Sequence, residues 1–164
     1  MRHTWLARAV LAAAAVSVPV VALAGSAQAA TTAKATAGGT YDQVAAGLAM
    51  TLVGDPYASG GTSPAGFDCS GLTQWVYGHT GGGKAIPRMA EDQFLQFRPV
   101  SHADARPGDL VFFHDTSDLT SFVYHVGVYE GGDMMVAATV PGEGVQYQSF
   151  TWAGDTVSFG TISH

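Results

Sequence analysis

One cysteine, Cys69, occurs in the 164 residues, so the chain can form no internal disulfide. A lone thiol is buried filler, an intermolecular crosslinker or a nucleophile. Positive charge is also scarce: seven lysines and arginines stand against 13 acidic residues, for a net charge of −6. No basic patch occurs, which argues against nucleic acid or an anionic polymer held through simple electrostatics. The chain lacks His-Glu-x-x-His and paired-cysteine spacing, and His114 and His125 stand too isolated to suggest a zinc centre. Gly81-Gly82-Gly83-Lys84 has neither the spacing nor the following Ser or Thr of a phosphate-cradling loop. No metal or cofactor is expected.

Long apolar runs are missing except at the N-terminus. Arg2 and Arg8 flank the start of a run from Ala9 to Leu23, and Ala27-Gln28-Ala29 fits the small-x-small cleavage rule. Residues 1–29 therefore read as a secretory signal cut after Ala29. The run is too short and too alanine-rich to span a membrane comfortably, so no stable membrane association is expected after cleavage. Cleavage would leave five basic residues against 13 acidic, a net charge of −8. Residues 30–40 are small and polar and read as a flexible linker. Residues 41–164 suffice for one domain with its own core, and a monomer is expected.

Within that domain, Val44, Ala45, Leu48, Ala49 and Leu52 form a helical stripe over Tyr41 to Val53, ended by Gly54-Asp55-Pro56. A Gly/Ser/Pro-rich loop covers 57–67. A second helix opens at Cys69, with Asp68 as N-cap, Leu72, Trp75 and Val76 at helical spacing, and Gly78 or Gly81 as a stop. A short helix is expected around Met89 to Phe97. Arg106-Pro107-Gly108-Asp109 reads as a turn into a buried strand, Leu110 to Phe113. Further strands are expected at 122–130, 134–139, 145–150 and 156–162, with Gly131-Gly132-Asp133 closing a hairpin. Helices first and strands after, on hairpin-length links, predict an α+β fold with an antiparallel sheet.

Thiol attack on a carbonyl needs a base, an oxyanion donor and a group that orients the base. Cys69 is the candidate nucleophile, since a helix N-terminus stabilises a thiolate. Among the histidines, His79 lies too far along the same helix and faces solvent. His102 sits in an exposed polar loop, and His114 beside Asp115 reads as a surface group at a strand end. His125 lies inside the strand-like Val123-Tyr124-His125-Val126-Gly127, with Gly127 leaving room on the same face. It is the candidate base. The Cys69 amide is the natural oxyanion donor. Asp68 reads as a cap or loop brace, Ser70 as a first-turn residue near the substrate, and Arg88 as either a partner for a substrate carboxylate or half of an internal ion pair. Asp104 and Asp109 read as turn residues.

Asp68-Cys69-Ser70-Gly71-Leu72, Pro87-Arg88 followed by Gln93, the run Pro107 to Phe113, and His125-Val126-Gly127-Val128-Tyr129 resemble the NlpC/P60 family of cell-wall cysteine peptidases. The resemblance covers most of residues 41–162. It implies a papain-like fold with N-terminal helices packed on an antiparallel sheet, and a Cys–His site at Cys69 and His125. It further implies a secreted, wall-associated endopeptidase whose substrate is the peptidoglycan stem peptide, cut between D-glutamate and a diamino acid. The family's site tyrosine falls on Tyr57, and the tryptophan often found two residues later is Ser59 here. The family's third, orienting residue is usually a histidine; here that position is Ala137, which cannot hold an imidazole. Gln146, Gln148 or Thr139 are the substitutes to consider. Two other readings remain open: a catalytically silent wall-binding domain of the same fold, and an amidase or acyltransferase acting on another amide.

Overall fold

The computed structural model describes residues 40–164. The expected signal, 1–29, and nearly all of the expected linker lie outside the described residues. Thr40 caps the first helix, α1 (Tyr41–Met50), in a reciprocal box: its Oγ1 accepts the Gln43 amide, and the Gln43 side chain accepts the Thr40 amide. Asp42 in the first turn complements the helix dipole. Ala45, Ala46 and Ala49 form the buried face, small enough for close approach to the layer below. The helix stops three residues before the expected end, and residues 51–54 continue as turns.

The loop that follows is more ordered than its composition suggested. It folds into a two-stranded ribbon, β1 (Thr62–Ser63) and β2 (Gly66–Phe67), that buries Phe67. Helix α2 (Cys69–His79) then buries Leu72, Val76 and Tyr77, and α3 (Ala90–Gln96) follows. The sheet is built from β3 (Arg98–Val100), β4 (Leu110–His114), β5 (Val123–Gly131), β6 (Met134–Ala138), β7 (Val145–Ser149) and β8 (Val157–Thr161). Its order is β3-β8-β4-β5-β6-β7, and every pair is antiparallel. The chain's last strand thus returns to lie between β3 and β4. The α+β expectation holds, with helices first and an antiparallel sheet after.

Strand β4 shows why a run of apolar residues can be a strand. Leu110 and Phe112 enter the core between helices and sheet, together with Leu72, Val76, Val126 and Val128. Val111 and Phe113 enter a second cluster on the opposite face with Tyr129, Met135, Ala137, Phe150 and Phe159. Both faces are covered, so alternation disappears. Full burial of each such side chain is worth about 1.5–3 kcal/mol. β3 was not read from the sequence because Arg-Pro-Val carries a charge and a proline, both tolerated at the sheet edge it occupies. Among the described residues no helix is long and apolar enough to cross a membrane.

Candidate active site

Asp68 joins the Gly-rich loop to α2. Its Oδ1 accepts the Gly71 amide at 2.8 Å as an N-cap, and its Oδ2 accepts the Gly60 amide at 2.9 Å. The loop crosses the helix start so closely that a Cβ on Gly71 would lie 2.0 Å from the Gly61 carbonyl oxygen. Only glycine fits there. The loop also carries Tyr57, which bridges to Phe67 and feels the charges of Cys69, Asp68 and Arg88.

Arg88 binds both neighbours of the cysteine. One guanidinium nitrogen pairs with Asp68 at 2.5 Å and the other donates to Ser70 Oγ at 2.9 Å. The arginine is therefore the internal ion pair of the two alternatives, with its fork occupied. Burial alone would raise the Asp68 carboxyl, but Arg88 and the Gly71 and Gly60 amides outweigh it and hold the group below its usual range. Ser70 is buried under this contact. Gln93 braces the same turn: its amide donates to the Ser70 and Pro87 carbonyls at 3.0 and 2.8 Å and accepts from Thr73 at 2.7 Å. In the sequence it stands out only as part of a motif; its full burial between α2 and the Pro87 loop makes it a brace.

Cys69 opens α2, and its amide has no acceptor among the described residues. Burial pushes its thiol above the ordinary value and the Asp68 charge adds to this; the Val126 and Ser70 amides and the Ser70 hydroxyl act in the opposite direction. The Val126 contact joins α2 to β5 at the residue after His125. The His125 ring centroid lies 5.1 Å from that of Phe113, its cross-strand partner. Burial pushes the imidazole down to about 4. An uncharged thiol and an uncharged imidazole are thus the favoured resting forms at neutral pH.

His125 makes no hydrogen bond to any described residue, although a core imidazole ordinarily needs a polar partner. Ala137 is fully buried nearby, in the same cluster as Phe113. None of the considered substitutes takes its place. Gln146 stands opposite Ala137 but its amide donates to the Glu143 carbonyl. The Thr139 hydroxyl contacts Glu143 and Gly144 at 3.1 Å, and Gln148 stands opposite Met135.

The other histidines have separate explanations. His79 is exposed and stacks on Trp75, and His102 is exposed and stacks on Phe159. His114 corrects the expectation of a surface group: it is 1% exposed. Its Nδ1 donates to the Ser121 carbonyl at 2.9 Å and its Nε2 accepts from Ser158 at 2.8 Å. One further cluster is assembled only by the fold. Asp42, Asp109 and His164 bring ligand-type atoms within 4.8 Å of one another. Asp109 also accepts the Arg106 amide at 2.7 Å, as the expected turn requires, and pairs with His164 at 2.9 Å. These residues are over a hundred positions apart in part, so no local spacing announces them.

A cysteine at a helix start, meeting a histidine-bearing strand of an antiparallel sheet, defines a recognisable class of α+β domain. Residues 54–160 match the NlpC/P60 family, and the chain belongs to that family. It is 40% identical over 118 residues to the bifunctional muramidase/DL-endopeptidase CwlT of Bacillus subtilis, covering 70% of this chain and 34% of that protein. It is 42% identical over 90 residues to a probable endopeptidase of Corynebacterium glutamicum, covering 55% of this chain and 39% of the relative. The chain thus spans little more than a third of these relatives' length. Among solved structures, the NlpC/p60 domain of the peptidoglycan hydrolase SagA superposes with a TM-score of 0.65 at 30% identity, over 74% of this chain and 98% of that one.

Proposed function

We propose that this domain is an exported cysteine endopeptidase that hydrolyses the stem peptide of peptidoglycan, at amides between D-glutamate and a diamino acid. The observation that supports the reading is the packing of α2, which opens at Cys69, against β5, the strand that carries His125. The names of the relatives, endopeptidases and a peptidoglycan hydrolase, supply the substrate class.

The chemistry follows from the resting protonation. Burial keeps both groups neutral, so His125 acts as a general base that takes the thiol proton as sulfur attacks the carbonyl carbon. The free Cys69 amide donates to the developing oxyanion. His125 then returns the proton to the leaving amine, and water, deprotonated by the same ring, releases the acyl group from sulfur. Arg88 pairs with Asp68 and so weakens the carboxylate's opposition to negative charge on the sulfur. Residues 1–29 direct export, and the enzyme acts as a monomer at the wall, without metal or cofactor.

Ala137 favours a second reading, a domain that binds wall peptide without turnover. Purified protein incubated with stem peptides separates the two. The peptidase reading requires a new amine from wild type and none from Cys69→Ala; binding without amine release would support the silent domain. Products formed with added amines would reveal acyl transfer.

A further inference from the structure

We propose that Phe113, backed by Trp152, positions the His125 imidazole as an aromatic clamp that takes over the orienting work usually done by a polar third residue. The inference rests on the reading of His125 as the base. A base must be held in one ring plane to meet its proton donor. No described residue hydrogen-bonds to this ring, and its neighbours on the β6 side are tightly packed. Gly127 lies two residues on, on the same face, where an added Cβ would come 2.8 Å from Met135 Sδ and 3.2 Å from Ala137 Cβ.

Aromatic contacts do the remaining work. Phe113 meets the imidazole at 5.1 Å and 55°, and Tyr124 lies 6.5 Å away at 25°. Phe113 is itself fully buried, and Trp152 stacks on it at 5.2 Å and 9°. Trp152 is 59% exposed, so filling the core is not its main contribution; its stacking fixes the phenylalanine plane. A short 3-10 turn, Thr151–Ala153, presents it, held by the Thr151 amide on Ser149 Oγ at 3.2 Å and the Ala153 amide on the Phe150 carbonyl at 3.0 Å.

Packing of this kind fixes a ring plane without adding charge, and it shields part of the ring from water. The depressed imidazole agrees with that partial burial. Tyr124 is the titratable group stacked beside the ring on its own strand, and Cys69 opens α2, which packs against β5. Phe113 and Trp152 on the clamp side, and Met135 and Ala137 on β6, carry no titratable group.

The test compares Trp152→Ala, Trp152→Phe and Phe113→Leu in the full chain, reading kcat and KM on a stem peptide and the His125 titration by NMR. Trp152→Ala is expected to lower kcat about tenfold with KM within about twofold, and to raise the His125 midpoint by about one unit as water reaches the ring. Trp152→Phe, which keeps a stacking ring, restores both. Should Phe113→Leu fail to fold, the exposed Trp152 site still decides. An unmoved titration in Trp152→Ala overturns the clamp, as does a KM rise with kcat intact, which would make Trp152 a substrate contact. The titration needs no turnover, so an inactive wild type refutes the peptidase reading while leaving the clamp separately testable.

Discussion

The acid limb of activity is the most exposing consequence of the site's geometry. The perturbation is pH, and the responding group is His125, moved by burial from an ordinary 6.5 to about 4. As general base the ring works only when neutral, and kcat/KM follows its state in the free enzyme. At pH 5 an ordinary imidazole would be about 3% neutral, whereas one titrating near 4 would be about 90% neutral. The two cases differ roughly 30-fold in rate at that pH. The assay is amine release from a stem peptide between pH 4 and 8, at substrate concentrations below KM. A plateau reaching down to pH 5 is expected. Half-maximal activity near 6.5 would mean that the ring is solvated or paired with a charge, and the burial argument would fail. The same group contributes to stability with a defined sign. The unfolded chain binds a proton through this histidine between about pH 4 and 6.5 while the folded chain does not, so stability falls as pH drops through that window and is unaffected above it.

Glu130 supplies the opposite case. Its Oε1 is buried with no partner, and burial pushes its carboxyl up to about 8. The folded chain keeps this proton where the unfolded chain has lost it, so stability falls as pH rises from about 4.5 to 8; denaturant melts of Glu130→Gln should lose that slope. Replacing Arg88 with alanine leaves the Asp68 charge unpaired beside the sulfur, and alkylation of Cys69 at neutral pH should slow about tenfold. The double change Arg88→Ala, Asp68→Asn should recover it; equal rates in all three proteins would show that the pair has no influence on the thiol. Gly71→Ala forces the 57–61 loop off the helix start, where the Cβ would meet the Gly61 carbonyl at 2.0 Å. A destabilisation of about 2 kcal/mol is expected, measured by thermal melting.

Much of this was written locally in the chain. The Asp68 cap, the apolar spacing of α2 and the Gly131-Gly132 turn each have a short-range cause, and each element stands where that cause puts it. Cys69 and His125 were singled out for position and neighbours, and the fold brings α2 and β5 into contact. What stayed hidden is non-local. The burial of His114 depends on Ser158, 44 residues away. Arg88 looked equally suited to a ligand or an ion pair, and only the folded loop shows Asp68 and Ser70 filling its fork. The aromatic surroundings of His125 come from β4 and the turn after β7, which no spacing rule connects. β3 and the β1–β2 ribbon were missed because residues so short and polar gain strand geometry from their partners.

Trapping the covalent intermediate tests the central claim most directly. Acid-quenched mixtures of protein and stem peptide, mapped by mass spectrometry, should carry the peptide's acyl fragment as a hydroxylamine-labile thioester on Cys69. Steady amine release that persists after Cys69→Ala, or an adduct mapping to any other residue, would contradict it.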